Sequence, residues 1–280
     1  SARLNGESES SPDWRCQSHA SPTVTEMHIL IVYAHPEPES FNGAMKDLAV
    51  ATLTGAGHQV VVSDLYAQNF NPVAGRHDFT ACADTARLDI GTEQAHAARS
   101  GGFAPDLQRE IDRLLAADLL ILQFPCWWYS VPAILKGWID RVFAYGVSYD
   151  FGRTWDRGVL RGRRAMLSFT TSAPPTASMP DGRNGDLERT LWPLHAGVLA
   201  LCGYDVLQPF VAHAVRWVDD ARRLAILDEY RQRLLNLDSD TPMFFQKLED
   251  YGPDGRLKPE IQPRSPGQHR GPRWHLPEAD

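Results

Sequence analysis

DLLILQF, residues 118–124 of the 280-residue chain, is the segment that says most about the fold. Five of its seven residues are large and apolar, without the apolar–polar alternation of a strand that faces water on one side. A strand that is apolar on both faces is typical of a parallel sheet covered by helices on both sides. The stretch therefore predicts a central, buried strand of an α/β protein.

Similar short apolar runs occur elsewhere in the chain and alternate with helical periods. The predicted strands are 28–33, 58–63, 118–124, 164–170 and 204–211. The predicted helices are 42–55, 105–116, 131–144, 185–202 and 219–237. This alternation predicts an α/β fold of three layers, with an open, parallel, five-stranded sheet between two layers of helices. Residues 66–104 have little periodicity and exceed an ordinary connection in length, which is typical of a functional or interfacial segment.

The two ends of the chain differ in composition from the middle. Residues 1–26 are rich in Ser, Glu and Pro, and the last thirty residues contain six prolines and few aliphatic side chains. We therefore expect a disordered N-terminal extension at 1–26, one folded domain at 27–245 and an extended, Pro-rich C-terminal tail at 246–280.

The composition argues against several classes of protein. The content of 43% hydrophobic and 22% charged residues is that of a globular protein, and the net charge of −7 argues against nucleic-acid binding. The chain has no run of 18 apolar residues and no apolar leader, which predicts a cytoplasmic protein without membrane insertion. Its four cysteines form no CxxC pair, so neither a zinc ribbon nor a disulfide framework is expected. The loop after the first predicted strand has no glycine fingerprint, and Gly55-Ala-Gly57 follows a helix, where it is typical of a C-cap. A Rossmann dehydrogenase is therefore disfavoured.

Ligands of an open parallel sheet bind at the carboxyl ends of its strands, so the loops that follow the strands are the candidate sites. The first of these loops is AHPEPESFNG, residues 34–43. Ser40 and Asn42 are both good helix N-caps, and the positive end of the following helix would suit a phosphate. A plain strand-to-helix connection with an N-cap is the alternative interpretation.

Three consecutive aromatic residues follow the third predicted strand, in Pro125-Cys126-Trp127-Trp128-Tyr129. They cannot all be buried in one direction, so at least one should face a pocket, where it offers a flat wall for a planar ring system. The alternative is a loop folded onto its own core. Ser130 is expected to cap the next helix, whose apolar stripe from Val131 to Phe143 predicts either core packing or a subunit interface.

Small and hydroxyl-bearing residues follow the fourth predicted strand, in Thr170-Thr171-Ser172-Ala173. Small side chains let backbone N–H groups approach a cofactor closely, and hydroxyls add donors and acceptors. A simple turn is the alternative. Asp186 is expected to cap a helix, and His195 and His213 are expected to be ordinary, partly buried side chains.

Four stretches together resemble a known family. They are AHPEPESFN (34–42), SDLYAQNFNPVAGRHDF (63–79), QFPCWWYSVPAILKGWIDRVF (123–143) and LWPLHAGVLALCGY (191–204). In this order they are similar to the flavodoxin-like NAD(P)H:quinone oxidoreductases, a family that includes DT-diaphorase, the modulator of drug activity B proteins and the KefC ancillary subunits. The resemblance covers residues 27–245.

The resemblance implies a flavodoxin-like sheet of strand order 2-1-3-4-5 and a homodimer that binds FAD rather than FMN. It also implies an NAD(P)H dehydrogenase (quinone)-type flavoprotein reductase with a ping-pong mechanism. In that mechanism NAD(P)H delivers a hydride to the flavin and leaves before a quinone, or a similar planar electrophile, takes the electrons. The cofactor carries the redox chemistry, so few catalytic side chains are expected.

The resemblance also implies a set of site residues. Trp128, Tyr129 and Tyr149 are the expected substrate-pocket residues, and Tyr149 would reach the pocket of the other subunit. The expected FAD-binding residues are His35, Ser40, Phe41, Asn42, Pro125, Cys126, Trp127, Trp128, Tyr129, Thr170, Thr171, Ser172, Ala173, Arg223 and Leu227. No metal is expected, because Ala196 and Ala200 stand where some relatives have histidines.

The chain departs from the family beyond the Thr-Thr turn. Animal members have a Tyr and a His there, which are thought to relay charge and protons, whereas counting forward places Ser178 and Asn184 at those positions. Neither residue is an acid near neutral pH, so such a relay is absent or replaced by water and backbone N–H groups. Two turn glycines of the family are Ser172 and Ala173 in this chain.

These departures motivate a second hypothesis from a different class. The chain would then be a flavin-binding regulatory subunit of another protein, such as a potassium-efflux system. A one-electron flavodoxin carrier fits less well, because such carriers are usually smaller and lack the long apolar helix and the aromatic wall.

Overall fold

A computed structural model describes residues 25–265 and 267–269 of the chain. Its parallel sheet has the order β2-β1-β3-β4-β5, with β6 also paired to β4, and this confirms the predicted α/β architecture and strand order. The strands are β1 (His28–Tyr33), β2 (Gln59–Asp64), β3 (Leu119–Pro125), β4 (Arg164–Thr170), β5 (Asp205–Val206) and β6 (Phe210–Ala212). All seven residues of β3 are buried, as its sequence predicts.

The fifth position of the sheet is filled by two short pieces instead of the single strand predicted at 204–211. Both pieces pair with β4, and Leu207 still donates its backbone N–H to Ala165 O at 2.8 Å. Pro209 lies between them and has no N–H to donate to the ladder. The prediction of one continuous strand was therefore wrong.

Helices cover both faces of the sheet and enclose two apolar cores. The helices that match predictions are α1 (Phe41–Gly55), α3 (Pro105–Ala116), α4 (Ala133–Val142) and α7 (Asp220–Leu235). One core lies between the sheet and the pair α1 and α7, and the other lies between the sheet and the pair α3 and α4. The predicted three layers are thus present.

The predicted helix 185–202 is broken into three pieces. They are α5 (Leu187–Thr190), α6 (Trp192–Leu194) and a π-helical segment, His195–Ala200. Pro193 lacks the N–H that a continuous helix would need at that position, so the helix is interrupted there. Asp186 caps α5 as predicted, because its side chain accepts from Glu188 N at 2.9 Å.

The long segment 66–104 contains a helix that the sequence analysis missed, α2 (Ile90–Ser100). Its N-cap is Asp89, whose carboxylate accepts from Thr92 N, and its C-cap is the left-handed Gly101. The segment is fixed to α4 by Arg141, which is fully buried and pairs with Asp78 at 2.8 Å. It is therefore an ordered layer over α4 and not a loose connection.

The assignment of both chain ends stays a prediction. Residues 1–24 of the expected extension and residues 266 and 270–280 of the expected tail lie outside the described residues. In the described part of the tail, Gln246 is buried and donates from its side chain to Gln262 O at 3.0 Å. No helix in the described ranges has the length and apolar character needed to cross a membrane.

Candidate active site at the carboxyl edge of the sheet

The three loops singled out in the sequence meet at one edge of the sheet. β1 pairs with β3 up to Tyr33↔Gln123, and β3 pairs with β4 up to Pro125↔Thr170. Because neighbouring parallel strands end at the same edge, the loops that follow them are brought side by side. The backbone N–H of Cys126 donates to Thr170 O at 2.9 Å, which ties the second loop to the third.

The loop after β1 places the positive end of α1 at this edge. Ser40 is the N-cap, since its hydroxyl accepts from Gly43 N at 3.1 Å. A Cβ at Gly43 would overlap the carbonyl oxygen of Pro38, so only glycine allows the loop to fold this closely against α1. The N-terminus of this 15-residue helix, with its positive dipole end and its remaining free N–H groups, therefore lies at the edge, a position that suits an anion.

Asn42 does not act as the second N-cap that its sequence position suggests. Its side chain is 3% exposed and turns inward. Its amide donates to Thr170 Oγ1 at 2.7 Å and accepts from Gln123 Nε2 at 2.7 Å. Asn42 therefore joins the first loop to the third through buried polar contacts.

The aromatic residues of the second loop form a tight turn that we call the aromatic turn, Trp127–Ser130. Trp127 N donates to Ser130 O at 3.0 Å and Ser130 N donates to Trp127 O at 3.1 Å. The two central residues are both left-handed, with φ of 51° at Trp128 and 60° at Tyr129. Side chains with a Cβ adopt this conformation at an energetic cost, which is typical of functional sites.

The aromatic turn exposes its rings rather than folding them onto the core. The exposed fractions are 42% for Trp127, 95% for Trp128 and 55% for Tyr129. The His35 ring lies beside Trp127, with ring centroids 6.2 Å apart. The predicted cap at Ser130 was wrong, because α4 begins at Ala133 and its N-cap is Pro132.

Cys126 precedes the aromatic turn and is unsuited to be a nucleophile. Burial raises the pKa of its thiol above the ordinary value, so the thiol stays protonated near neutral pH. Cys126 instead bonds Thr170 through its backbone N–H, and its side chain is half-buried at this edge.

Hydrogen bonds to the Thr171 hydroxyl and to the end of β6 order the loop after β4. Ala173 N donates to Thr171 Oγ1 at 3.2 Å, and Thr171 N donates to Ala212 O at 3.0 Å. Ala214 N then donates to Ala173 O at 3.1 Å, which joins this loop to the start of α7. Arg223 on α7 donates from Nε to Val215 O at 3.1 Å, which holds it against the segment that follows β6.

These features fit a flavin. The exposed rings of the aromatic turn suit a planar ring system, and the N-terminus of α1 suits a phosphate group. Arg223 and Leu227 on α7 are both half-buried. Among the described residues, no group of three His, Cys, Asp or Glu side chains is arranged to hold a metal ion.

Comparison with known proteins decides the family. The model of the flavodoxin-like fold matches residues 27–237. NAD(P)H dehydrogenase (quinone) 1 of Rattus norvegicus is 39% identical over 217 residues, which are 77% of this chain and 79% of that protein. The chain belongs to the NAD(P)H:quinone oxidoreductase family. Ribosyldihydronicotinamide dehydrogenase (quinone) of Pongo abelii is 41% identical over 77% of this chain and 94% of its own length.

A solved structure agrees with this quinone oxidoreductase assignment. A Klebsiella pneumoniae protein assigned as a quinone reductase superposes with a TM-score of 0.82 and 35% identity, covering 88% of this chain and 98% of that one. The resemblance seen in the sequence, and the flavodoxin-like fold that it implied, are thereby confirmed.

One expected site residue of this quinone oxidoreductase lies apart from the others. Tyr149 packs against Tyr145, with ring centroids 5.5 Å apart, and lines a cleft of about 380 Å³ beside α4 and the π-helical segment. Burial raises the pKa of Tyr149, so its hydroxyl stays protonated. Within one chain, Tyr149 does not reach the aromatic turn.

The structure also gives a contact to Asn184, which the sequence analysis did not include among the expected site residues. Tyr129 donates its hydroxyl to Asn184 Oδ1 at 3.3 Å, so the loop before α5 reaches the aromatic turn. The count from the Thr-Thr turn had placed Asn184 at a functional position of the quinone oxidoreductases. The hydrogen bond between Asn184 and Tyr129 forms only because the folded loop brings the two residues together.

Proposed function

We propose that the protein is an FAD-dependent oxidoreductase that transfers a hydride from NAD(P)H to quinones or similar planar electrophiles. The observation that carries the proposal is the exposed, strained aromatic turn beside the N-terminus of α1. Trp127, Trp128 and Tyr129 together form an exposed aromatic patch at this edge, and contiguous patches of this kind are typical of ligand-binding surfaces.

In this proposal, different residues at the carboxyl edge bind different parts of the FAD. Ser40, Phe41 and the N-terminus of α1 hold the pyrophosphate, with His35 beside them. The residues that line the isoalloxazine are Pro125, Cys126, Trp127, Trp128, Tyr129, Thr170, Thr171, Ser172 and Ala173. Asn42 acts through Thr170, to which its amide donates. Arg223 and Leu227 lie at the adenine end, which favours FAD over the shorter FMN.

The protein contributes positioning rather than acid–base chemistry. A bound flavin would supply the two-electron redox chemistry between NAD(P)H and the acceptor. Trp128 and Tyr129 provide one wall of an open face, which NAD(P)H occupies and leaves before the acceptor enters. This shared face supports the ping-pong order, because one site cannot hold both reactants at the same time.

A homodimer belongs to the same proposal. Tyr149 lines a cleft with apolar side chains of α4 and the π-helical segment, among them Phe143 and Val198. An apolar cleft of this kind suits contact with a second copy of the chain, and the contact would carry Tyr149 to the partner's pocket.

A visible absorption spectrum, followed by anaerobic addition of NADH and then NADPH, tests the proposal. We expect flavin bands in protein purified or reconstituted with FAD, bleaching with a pyridine nucleotide, and recovery of the bands when a quinone is added. Protein that binds flavin but is bleached by neither donor would contradict the proposed activity and favour the regulatory-subunit hypothesis.

Substitution of the exposed ring tests the placement of the cofactor. Trp128→Ala should weaken FAD binding by about 1 kcal/mol through lost stacking, measured by quenching of flavin fluorescence. Phe244→Ala is the matched control, because Phe244 is also an exposed aromatic residue but lies near β5, away from the carboxyl edge. Equal FAD affinity in both variants would remove Trp128 from the site.

A further inference from the structure

A buried chain of hydrogen bonds runs from α7 through the sheet to the carboxyl edge. Tyr230 on α7 donates its hydroxyl to Gln123 Oε1 at 3.5 Å, and Gln123 Nε2 donates to Asn42 Oδ1 at 2.7 Å. Asn42 Nδ2 then donates to Thr170 Oγ1 at 2.7 Å. All four side chains are buried, and Gln123 is 0% exposed. The chain of hydrogen bonds therefore ends on the last residue of β4, at the candidate site.

Met45 on α1 fixes the direction of this chain. Gln123 Nε2 also lies 3.8 Å from Met45 Sδ. A thioether sulfur has no hydrogen to donate and can only accept, so it is the nitrogen of the Gln123 amide that faces both Met45 and Asn42. Asn42 must accordingly present its oxygen to Gln123 and its nitrogen to Thr170. Burial raises the pKa of Tyr230, so the hydroxyl at the other end keeps its proton.

Thr170 is left with a hydroxyl hydrogen to donate. A hydroxyl has one hydrogen and two acceptor lone pairs, and the Thr170 oxygen already accepts from Asn42. In the part of the chain that the structure describes, no other hydrogen bond engages Thr170 Oγ1. Its backbone is held in place, because Thr170 O accepts from Cys126 N at 2.9 Å. A hydroxyl that is oriented in this way suits a ligand with acceptor atoms at the edge.

We propose that Gln123 is a positioning residue for the cofactor, because it fixes the Asn42 amide so that the Thr170 hydroxyl donates to bound FAD. This inference rests on the proposed function. Gln123 itself is fully buried and acts only through Asn42. If the Asn42 amide were turned over, the Thr170 hydroxyl would donate to Asn42 Oδ1 and would present only lone pairs to the acceptor atoms of FAD.

The affinity for FAD tests the Thr170 hydroxyl. FAD is titrated into flavin-free protein, and binding is measured by quenching of flavin fluorescence. Thr170→Val keeps the shape of the side chain but has no hydroxyl, so we expect about fivefold weaker binding through the loss of one hydrogen bond. Thr170→Ser keeps the hydroxyl and should bind FAD like the wild type. The control is Ser63→Ala, which removes a buried hydroxyl of β2 that accepts from Arg113 at 3.1 Å and should leave FAD affinity unchanged.

A double-mutant cycle tests the role of Gln123. Gln123→Met has a similar volume but no amide, so the Asn42 amide is free to turn over and to accept the Thr170 hydrogen. We expect FAD binding about fivefold weaker than in the wild type. The same substitution in the Thr170→Val background should cause no further loss, because no hydroxyl remains to be directed. A merely structural role of Gln123 would weaken FAD binding equally in both backgrounds.

Asn42→Asp provides a second test of the direction. Both oxygens of the carboxylate accept, so the Thr170 hydroxyl would donate to residue 42 and not to FAD. The added negative charge weakens FAD binding by itself, so the comparison is made within this background. Thr170→Val should then have no further effect on FAD affinity, although it weakens binding in the otherwise wild-type protein.

Three results would overturn the inference. Equal FAD affinity of Thr170→Val and the wild type would show that the hydroxyl does not donate to FAD. Wild-type affinity in Gln123→Met, or a loss of the same size in the Thr170→Val background, would show that Gln123 does not direct Thr170. Wild-type protein that binds FAD but is not bleached by NAD(P)H would contradict only the proposed activity, because FAD affinity is measured without NAD(P)H.

Discussion

At the scale of single residues, the aromatic turn shows how local strain and exposure coincide. Trp128 and Tyr129 occupy the two positions of a tight turn that Asn and Gly normally fill. Their left-handed φ values place two large rings at the carboxyl edge of the sheet, one of them almost fully exposed. Three consecutive aromatic residues predict a flat wall for a planar ligand. The left-handed backbone conformation that exposes their rings cannot be predicted from the sequence.

The strain at Trp128 can be measured by comparing two truncations. Trp128→Gly should be more stable than Trp128→Ala by about 0.5–1 kcal/mol, because glycine adopts a positive φ without the steric cost that alanine has. Urea denaturation gives the free energies of unfolding. Ala51→Gly in α1, where φ is helical, should instead lose about 0.5–1 kcal/mol. Equal stability of the two Trp128 variants would mean that the turn is unstrained.

At the scale of elements, the π-helical segment contains a buried histidine. His195 is 2% exposed, and among the described residues neither ring nitrogen has a hydrogen-bond partner. Burial lowers the pKa of His195 to about 4, so the folded protein keeps this ring neutral under conditions in which the unfolded chain is protonated. The prediction of an ordinary, partly buried side chain underestimated how completely the segment encloses it.

This histidine makes stability depend on pH. Between pH 6.5 and pH 4 the unfolded state binds a proton at residue 195 that the folded state does not, so stability falls as the pH falls. The loss amounts to about 3 kcal/mol over this window. His195→Leu should lack it, which denaturation of both proteins at pH 7 and pH 4.5 would reveal. Burial also lowers the pKa of His213, so only the difference between the two proteins is diagnostic.

The contact between α4 and the segment 66–104 depends on one glycine. A Cβ at Gly137 would overlap the backbone of Pro72. The neighbouring Asn71 O accepts from Arg141 at 2.6 Å, and Arg141 is paired with buried Asp78, so a shift of Pro72 would disturb these contacts. Gly137→Ala should therefore cost about 3 kcal/mol or more in the free energy of unfolding. Gly55→Ala in α1 has no atom within 4 Å of the new Cβ and should be neutral or slightly stabilising. Thermal denaturation measures both variants. Equal melting temperatures for Gly137→Ala and Gly55→Ala would contradict the close packing of Gly137 on Pro72.

At the scale of the whole molecule, the parallel sheet assembles the site and leaves an apolar cleft on one helical layer. The cleft contains Tyr149 together with Phe143, Val198 and Leu201. A second copy of the chain is the partner that the proposed function requires there.

Light scattering at micromolar concentration tests this assembly. We expect twice the chain mass for the wild type and the mass of one chain for Val198→Arg, because a charge would be buried at the interface. Leu224→Arg is the control and should remain dimeric, since Leu224 is exposed on α7, away from the cleft. A wild-type protein that is already monomeric would exclude Tyr149 from acting in the partner's pocket.

The layers, the positions of the first four strands, the family and the three edge loops were all predictable from the sequence, because apolar periodicity and turn residues are local properties of the chain. Which side chains meet became clear from the folded chain alone: Asn42 bonds a threonine 128 residues away, and Tyr129 bonds an asparagine 55 residues away. Such contacts depend on strand register and on loop closure between distant segments. The same holds for Pro193 and Pro209, which break elements whose apolar patterns are continuous, since a missing N–H matters only where a neighbour needs it.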